Sequence, residues 1–131
     1  MRRVLILLCV ICLAASTAGA QDPVKVDPKH YKVEFENAQV RVLRVHYGPH
    51  QKSVMHEHPD TVAVFVTDSA VKFTMPDGKT EDSKGKAGQT MWIKAGKHLS
   101  ENTSDKPMEA IVIEMKAKPE AAPAAPAKKK G

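Results

Sequence analysis

The stretch "SVMHEHPDTVAVFVTD", Ser53 to Asp68, sets two histidines one residue apart and follows them with a β-branched apolar run. On a strand, successive side chains point to opposite faces, so His56 and His58 project together while Glu57 points away. Val54 shares the parity of the histidines and Met55 that of Glu57. Pro59-Asp60 reads as a turn that divides the stretch into two short strands. Two imidazoles at i and i+2 can hold one metal ion. By itself, however, His-x-His is a weak signal, because exposed strands carry such pairs by chance.

The surroundings are of the same kind. Upstream, "YKVEFEN" alternates Tyr31, Val33 and Phe35 against Lys32, Glu34 and Glu36, and "QVRVLRVHYGP" is a second strand closed by Gly48-Pro49. Downstream, "AVKFTMPDGKTED" reads as a hairpin around Pro76-Asp77-Gly78, with Val71 and Phe73 on one face. "QTMWIKAG" and "MEAIVIEMK" supply two more strands. No window shows a sustained 3.6-residue apolar repeat, so short strands with turn residues between them predict an all-β sandwich or barrel. Val64, Val66, Phe73, Met91 and Ile111 are assigned to its core. Trp92 is assigned either to the mouth of the barrel or to packing.

The ends differ from this middle. "MRRVLILLCVICLAASTAGAQD" runs from two arginines through an apolar segment to Ala18-Gly19-Ala20, the order of a secretory signal peptide cut near Ala20-Gln21. The apolar run falls well short of the roughly 20 residues that span a bilayer, so no membrane span is expected. Export to the periplasm or the extracellular space follows. Cys9 and Cys12 both lie in this segment, and neither is preceded by the small residue that lipid attachment requires. The mature chain therefore has no thiol for a disulfide, a ligand or a nucleophile. Residues 21–30, "QDPVKVDPKH", read as an extended lead-in that includes His30. Residues 117–131, rich in Ala and Pro and ending in Lys128 to Lys130, cannot bury enough apolar surface to offset their ordering entropy and are expected to be disordered. A single domain over residues 31–116 remains.

A net charge of +5 on 131 residues would suit nucleic acid, but its distribution does not. The excess comes from Arg2 and Arg3 and from Lys118 and Lys128 to Lys130 against Glu120, leaving residues 21–116 formally neutral. With no basic stripe and few aromatic residues to stack on bases, nucleic-acid binding is not expected.

About forty residues beyond the first histidines, "GQTMWIKAGKHLSEN" brings a strand, a glycine turn and a third histidine, His98. With it the chain resembles the cupin superfamily. Gly48, His56 and His58 follow the first cupin motif, with a spacer two residues longer than standard, and Gly78 follows at the hairpin. Gly88, Gly96, His98 and Asn102 follow the second, with Lys94 where the motif has proline and His98 one residue early. The resemblance spans roughly Arg41 to Lys116. It implies an antiparallel cupin β-barrel (a double-stranded β-helix or jelly roll) and a mononuclear site formed by His56, His58 and His98. The glutamate of the motif falls on Val62 or Ala63, so the inherited set is three histidines without a carboxylate.

Three imidazoles suit a divalent transition metal (Fe, Zn, Cu, Ni or Mn) and leave positions for water, dioxygen or a small-molecule ligand. The resemblance does not select a reaction, and two readings stay open: a metal-dependent enzyme, oxygenase-like, acting on a small oxygen-rich substrate, or a non-enzymatic envelope module binding a sugar, an anion or a metal. A barrel serving only for association is the third reading, and a homodimer is a further expectation. No catalytic group besides the metal is evident. His46 and His50 are weak substitutes for the glutamate, Glu101 is a solvated turn residue before it is a general base, Asn102 is a turn former, and His30 has no assigned role.

Overall fold

A computed structural model describes residues 21–117. Nine strands are formed among the described residues: β1 (Tyr31–Glu36), β2 (Val40–Tyr47), β3 (His56–His58), β4 (Thr61–Phe65), β5 (Ser69–Thr74), β6 (Thr80–Gly85), β7 (Thr90–Ile93), β8 (Gly96–Asn102) and β9 (Met108–Met115). They make a five-stranded sheet in the order β1-β2-β9-β4-β7 and a four-stranded sheet in the order β3-β8-β5-β6, with every pairing antiparallel. This is a jelly roll, as expected, but its sheets are not closed into a barrel. No helix among the described residues is long and apolar enough to cross a membrane. The predicted signal peptide (residues 1–20) and nearly all of the predicted Ala/Pro/Lys tail lie outside the described residues.

The core lies between the sheets and is built from alternate residues. Tyr31, Leu43, Val45, Tyr47, Ala63, Val71, Met108 and Val112 form one buried cluster, against which Val24, Phe73 and Ile93 pack. At the far edge Phe65 is buried over Gly85, where an added Cβ would lie 2.3 Å from its ring. The β5–β6 hairpin turns at Pro76-Asp77-Gly78 as predicted, with Gly78 at a φ of 83°, a conformation that glycine adopts freely.

The core assignments made from sequence need correcting for three residues. In β4 the buried positions are Thr61, Ala63 and Phe65, so Val64 lies on the other face; Val66 is exposed just beyond the strand, and Ile111 is only partly buried. The run Val62 to Val66 is apolar on both parities, and periodicity cannot choose between two faces that look alike. Cross-strand register aligns Phe35, Val42, Ile113, Val62 and Trp92 in one row on the outer face of the five-stranded sheet. Phe35 and Trp92 at its ends are 53% and 58% exposed.

The lead-in is not extended. Pro23–Val26 form one helical turn, α1, with Asp22 as its N-cap and the first proline at a position where its missing N–H is not needed. Pro23 is buried, and the Glu57 N–H donates to the Gln21 carbonyl. His30 is buried too, stacked on Tyr47 at 4.4 Å with Nδ1 2.8 Å from the Asp27 carboxylate. Its role is to fasten the lead-in to the domain.

Candidate metal centre

His56 and His58 occupy the two ends of β3, both buried, with Glu57 exposed between them. The alternation expected from sequence holds there but stops at once: Val54, before the strand begins, is exposed rather than sharing the interior with the histidines. His98 lies on β8, a strand not expected from the sequence, in which "GKHLSEN" has no apolar alternation. Register places His98 directly opposite His56, so the two rings face the same side, with centroids 4.9 Å apart. The His58 ring lies 4.8 Å from that of His56 and 5.5 Å from that of His98. One nitrogen from each of the three lies within 4.8 Å of the others, an arrangement that could hold a metal ion.

The outer nitrogens decide which atoms face inward. His56 Nδ1 donates to the Val54 carbonyl at 2.8 Å, so in the neutral ring Nε2 carries the lone pair. His58 Nδ1 donates to Glu114 Oε1 at 2.5 Å, which leaves its Nε2 for the cluster in the same way. His98 is positioned by packing, its ring meeting Phe73 edge-on at 5.0 Å. Burial, with His58 next to it, lowers the His56 imidazole to about 4; burial together with His56 and His58 lowers His98 to about 3. Both rings are therefore neutral at ordinary pH, the state in which imidazole binds a metal. Neutral His56 and His98 rings, a converging geometry and the anchored outer nitrogens of His56 and His58 together fit a divalent transition metal.

Glu114 is the functional residue that sequence reading missed. It closes the inward series Met108, Ala110, Val112, Glu114 of β9 and is only 2% exposed. Its second oxygen accepts from Arg41 Nε at 2.6 Å, and Arg41 Nη1 donates in turn to Asp22 Oδ2 at 2.6 Å. Burial alone would raise the carboxyl, but the hydrogen bonds from His58 and Arg41 outweigh it and hold Glu114 below its ordinary value. A carboxylate fixed behind a histidine orients the ring and makes its inner nitrogen a stronger donor. A signal for it exists in the sequence: a carboxylate at a core parity of an apolar strand.

The other candidates fall outside the cluster. His46 is exposed, and His50 bonds Asp105 at the surface. Glu101 lies within β8 on the parity opposite His98 and pairs with Lys52, so it is not a turn residue. Asn102 ends β8 fully buried; its Nδ2 donates to the Gly48 and Lys106 carbonyls and its Oδ1 accepts from Ser104, which ties together the two turns flanking the sheet. At the position of the motif glutamate, Ala63 faces inward and Val62 outward, and neither offers a donor atom.

Beside His58 and His98 lies a cavity of ≈ 50 Å³, lined by Tyr31, Ser100 and apolar residues that include Phe73 and Ile93. That is room for a few waters. A wider cleft of ≈ 400 Å³, bordered by Trp92, Met91 and Lys94, reaches His98 from outside, which places Trp92 at the mouth.

No family model and no curated protein matches the sequence. Solved structures do. A cupin domain from Bordetella pertussis Tohama I is 27% identical, with a TM-score of 0.61 over 66% of this chain and 92% of that one. The chain belongs to the cupin superfamily. A conserved protein with a double-stranded β-helix domain from Klebsiella pneumoniae is 19% identical (TM-score 0.54; 65% of this chain, 74% of that one). A protein from Bacillus halodurans is 15% identical (TM-score 0.55; 68% and 71%). These last two show the fold alone. For a cupin, the three-histidine cluster is where a metal centre would be sought, and the fold therefore fits a metal-binding protein.

Proposed function

We propose that this cupin is an exported protein that holds one divalent transition-metal ion through Nε2 of His56, Nε2 of His58 and a ring nitrogen of His98, and binds a small oxygen-rich molecule at that ion. The observation that carries the reading is the convergence of three buried imidazoles with nitrogens within 4.8 Å. When bound, such an ion supplies Lewis-acid polarisation, and with a redox-active metal also electron transfer. The protein's own part is to keep the His56 and His98 imidazoles neutral, to orient His58 through Glu114, and to surround the centre with apolar side chains that limit water. Trp92 and Lys94 at the cleft supply an apolar face and a positive charge to an entering anion. A homodimer belongs to the same reading, supported by the apolar row on the outer sheet face.

Elemental analysis tests the centre. The purified protein is expected to carry about one ion per chain, and alanine at His56, His58 or His98 should each remove most of it, because two imidazoles lack both the affinity and the geometry of three. Glu57→Ala should leave the content unchanged. Metal content that survived all three histidine substitutions would overturn the site. Oxygen uptake or turnover of a candidate substrate then separates an oxygenase from a binding module. The absence of any carboxylate from the cavity lining favours the module.

Export rests on the order of charge, apolar run and small residues before Gln21. The exported form is expected to begin at Gln21, and N-terminal sequencing that returned Met1 would refute this.

A further inference from the structure

The phenol of Tyr31 stands at the histidine cluster in a place that the three-histidine reading does not use. Tyr31 opens β1, is 3% exposed, and turns its ring toward β3, with centroids 4.8 Å from His56 and 5.7 Å from His58. Its oxygen lies 3.1 Å from His56 Nε2, the nitrogen assigned to the metal, and 2.6 Å from the Tyr47 hydroxyl. In the metal-free protein the proton positions follow from the partners. His56 Nε2 can only accept, so Tyr31 donates to it and Tyr47 donates to Tyr31.

That separation has a second meaning. Two donors sharing one ion, each about 2.1 Å from it and roughly 90–110° apart, lie about 3.0–3.4 Å from each other. The 3.1 Å between Tyr31 Oη and His56 Nε2 falls within that range. The position of the motif glutamate, Val62 or Ala63, offers no oxygen, and both oxygens of Glu114 are committed to His58 and Arg41. We infer that Tyr31 Oη is the fourth protein donor, supplying from β1 the anionic oxygen that the cupin motif would take from a glutamate. The inference rests on the three histidines being a metal centre.

On binding, the phenol proton leaves to solvent, and the oxygen and Nε2 both turn lone pairs to the ion. The Tyr47 hydroxyl continues to donate to the phenolate from the other side. A set of three nitrogens and one oxygen closes a tetrahedral ion such as Zn, but leaves positions open on an ion that takes five or six ligands, such as Fe. The substrate-binding form would then be one of the latter.

The test uses the purified protein loaded with ferric iron, and with zinc as the colourless control. A phenolate on Fe(III) gives a visible charge-transfer band and phenolate modes in resonance Raman. The wild-type protein should show both. Tyr31→Phe, which removes only the oxygen, should abolish them while the three histidines still retain iron. Tyr47→Phe should shift the band without removing it, because that variant withdraws only a hydrogen bond to the coordinated oxygen. Should Tyr31→Phe fail to fold, the wild-type Raman spectrum decides. Stoichiometric, histidine-dependent iron without phenolate modes, or a band that survives Tyr31→Phe, would overturn Tyr31 as a donor and leave the three-histidine centre standing. A protein that took up no ion at all would overturn both.

Discussion

Replacing Glu114 by alanine is expected to cost about 3–5 kcal/mol of stability and to weaken metal binding ~10–100-fold. The two losses have one origin. Glu114 is buried between the His58 imidazole and the Arg41 guanidinium, each held by one of its oxygens. Its removal leaves a largely buried positive charge paired only with Asp22, and a ring N–H with no acceptor. Burying unpaired groups costs far more than the net worth of the pair they came from. His58 is then also free to rotate or to change tautomer, and its inner nitrogen no longer faces the cluster dependably. Glu114→Gln separates the two effects. The amide keeps the shape and can still accept from His58, so most of the binding should return, while the lost charge opposite Arg41 keeps stability below wild type. Urea unfolding and competition with a chelator measure the two quantities. An alanine variant with an unchanged unfolding midpoint would show that the pair is solvated rather than buried.

Acid should destabilise the metal-free protein well before its carboxylates titrate. The unfolded chain takes up a proton on each imidazole near pH 6.5, whereas the folded protein refuses one on His56 until about 4 and on His98 until about 3. Between those limits the unfolded state binds more protons, so stability falls as the pH is lowered through this window and is flat above it. A shift of one unit corresponds to about 1.4 kcal/mol, so His56 alone contributes on the order of 3 kcal/mol by the bottom of its range. Glu114, held below its ordinary value, adds a loss of the same sign at lower pH. Melting temperatures at a series of pH values should therefore slope downward from about 6.5 toward 4. The double replacement His56→Gln with His98→Gln should flatten that slope. Saturating metal should raise the whole curve, since the ion binds only the neutral rings. A metal-free protein equally stable at both ends of this window would overturn the burial argument.

How much of this was legible in the sequence depends on how far apart the cooperating residues lie along the chain. Alternation along a strand is imposed by covalent geometry, so the edges of most strands, the turns at Gly48-Pro49 and Pro76 to Gly78, and the shared face of His56 and His58 could all be read locally. So could the superfamily, because its two motifs consist of turn glycines and histidines at short spacings. Sequence reading failed where a strand lacks a local pattern, as in β8, which forms because β3 and β5 pair with it on either side. It failed again in the doubly apolar β4, where inside and outside look alike, and at the lead-in, whose prolines open a helical turn that packs onto the domain.

The surroundings of the site were decided by the tertiary structure alone. His98 meets His56 across the β3–β8 register, Glu114 reaches His58 from a strand in the opposite sheet, Arg41 joins Glu114 across the β2–β9 pair, and Tyr31 approaches His56 from the start of β1. The composition and spacing of the sequence determined that the chain would make short antiparallel strands and carry a pair of imidazoles on one face. Which carboxylate, which third imidazole and which phenol would stand beside that pair depended on long-range register and on how the two sheets face each other, and a one-residue slip in either strand would have turned every one of those side chains to the opposite face.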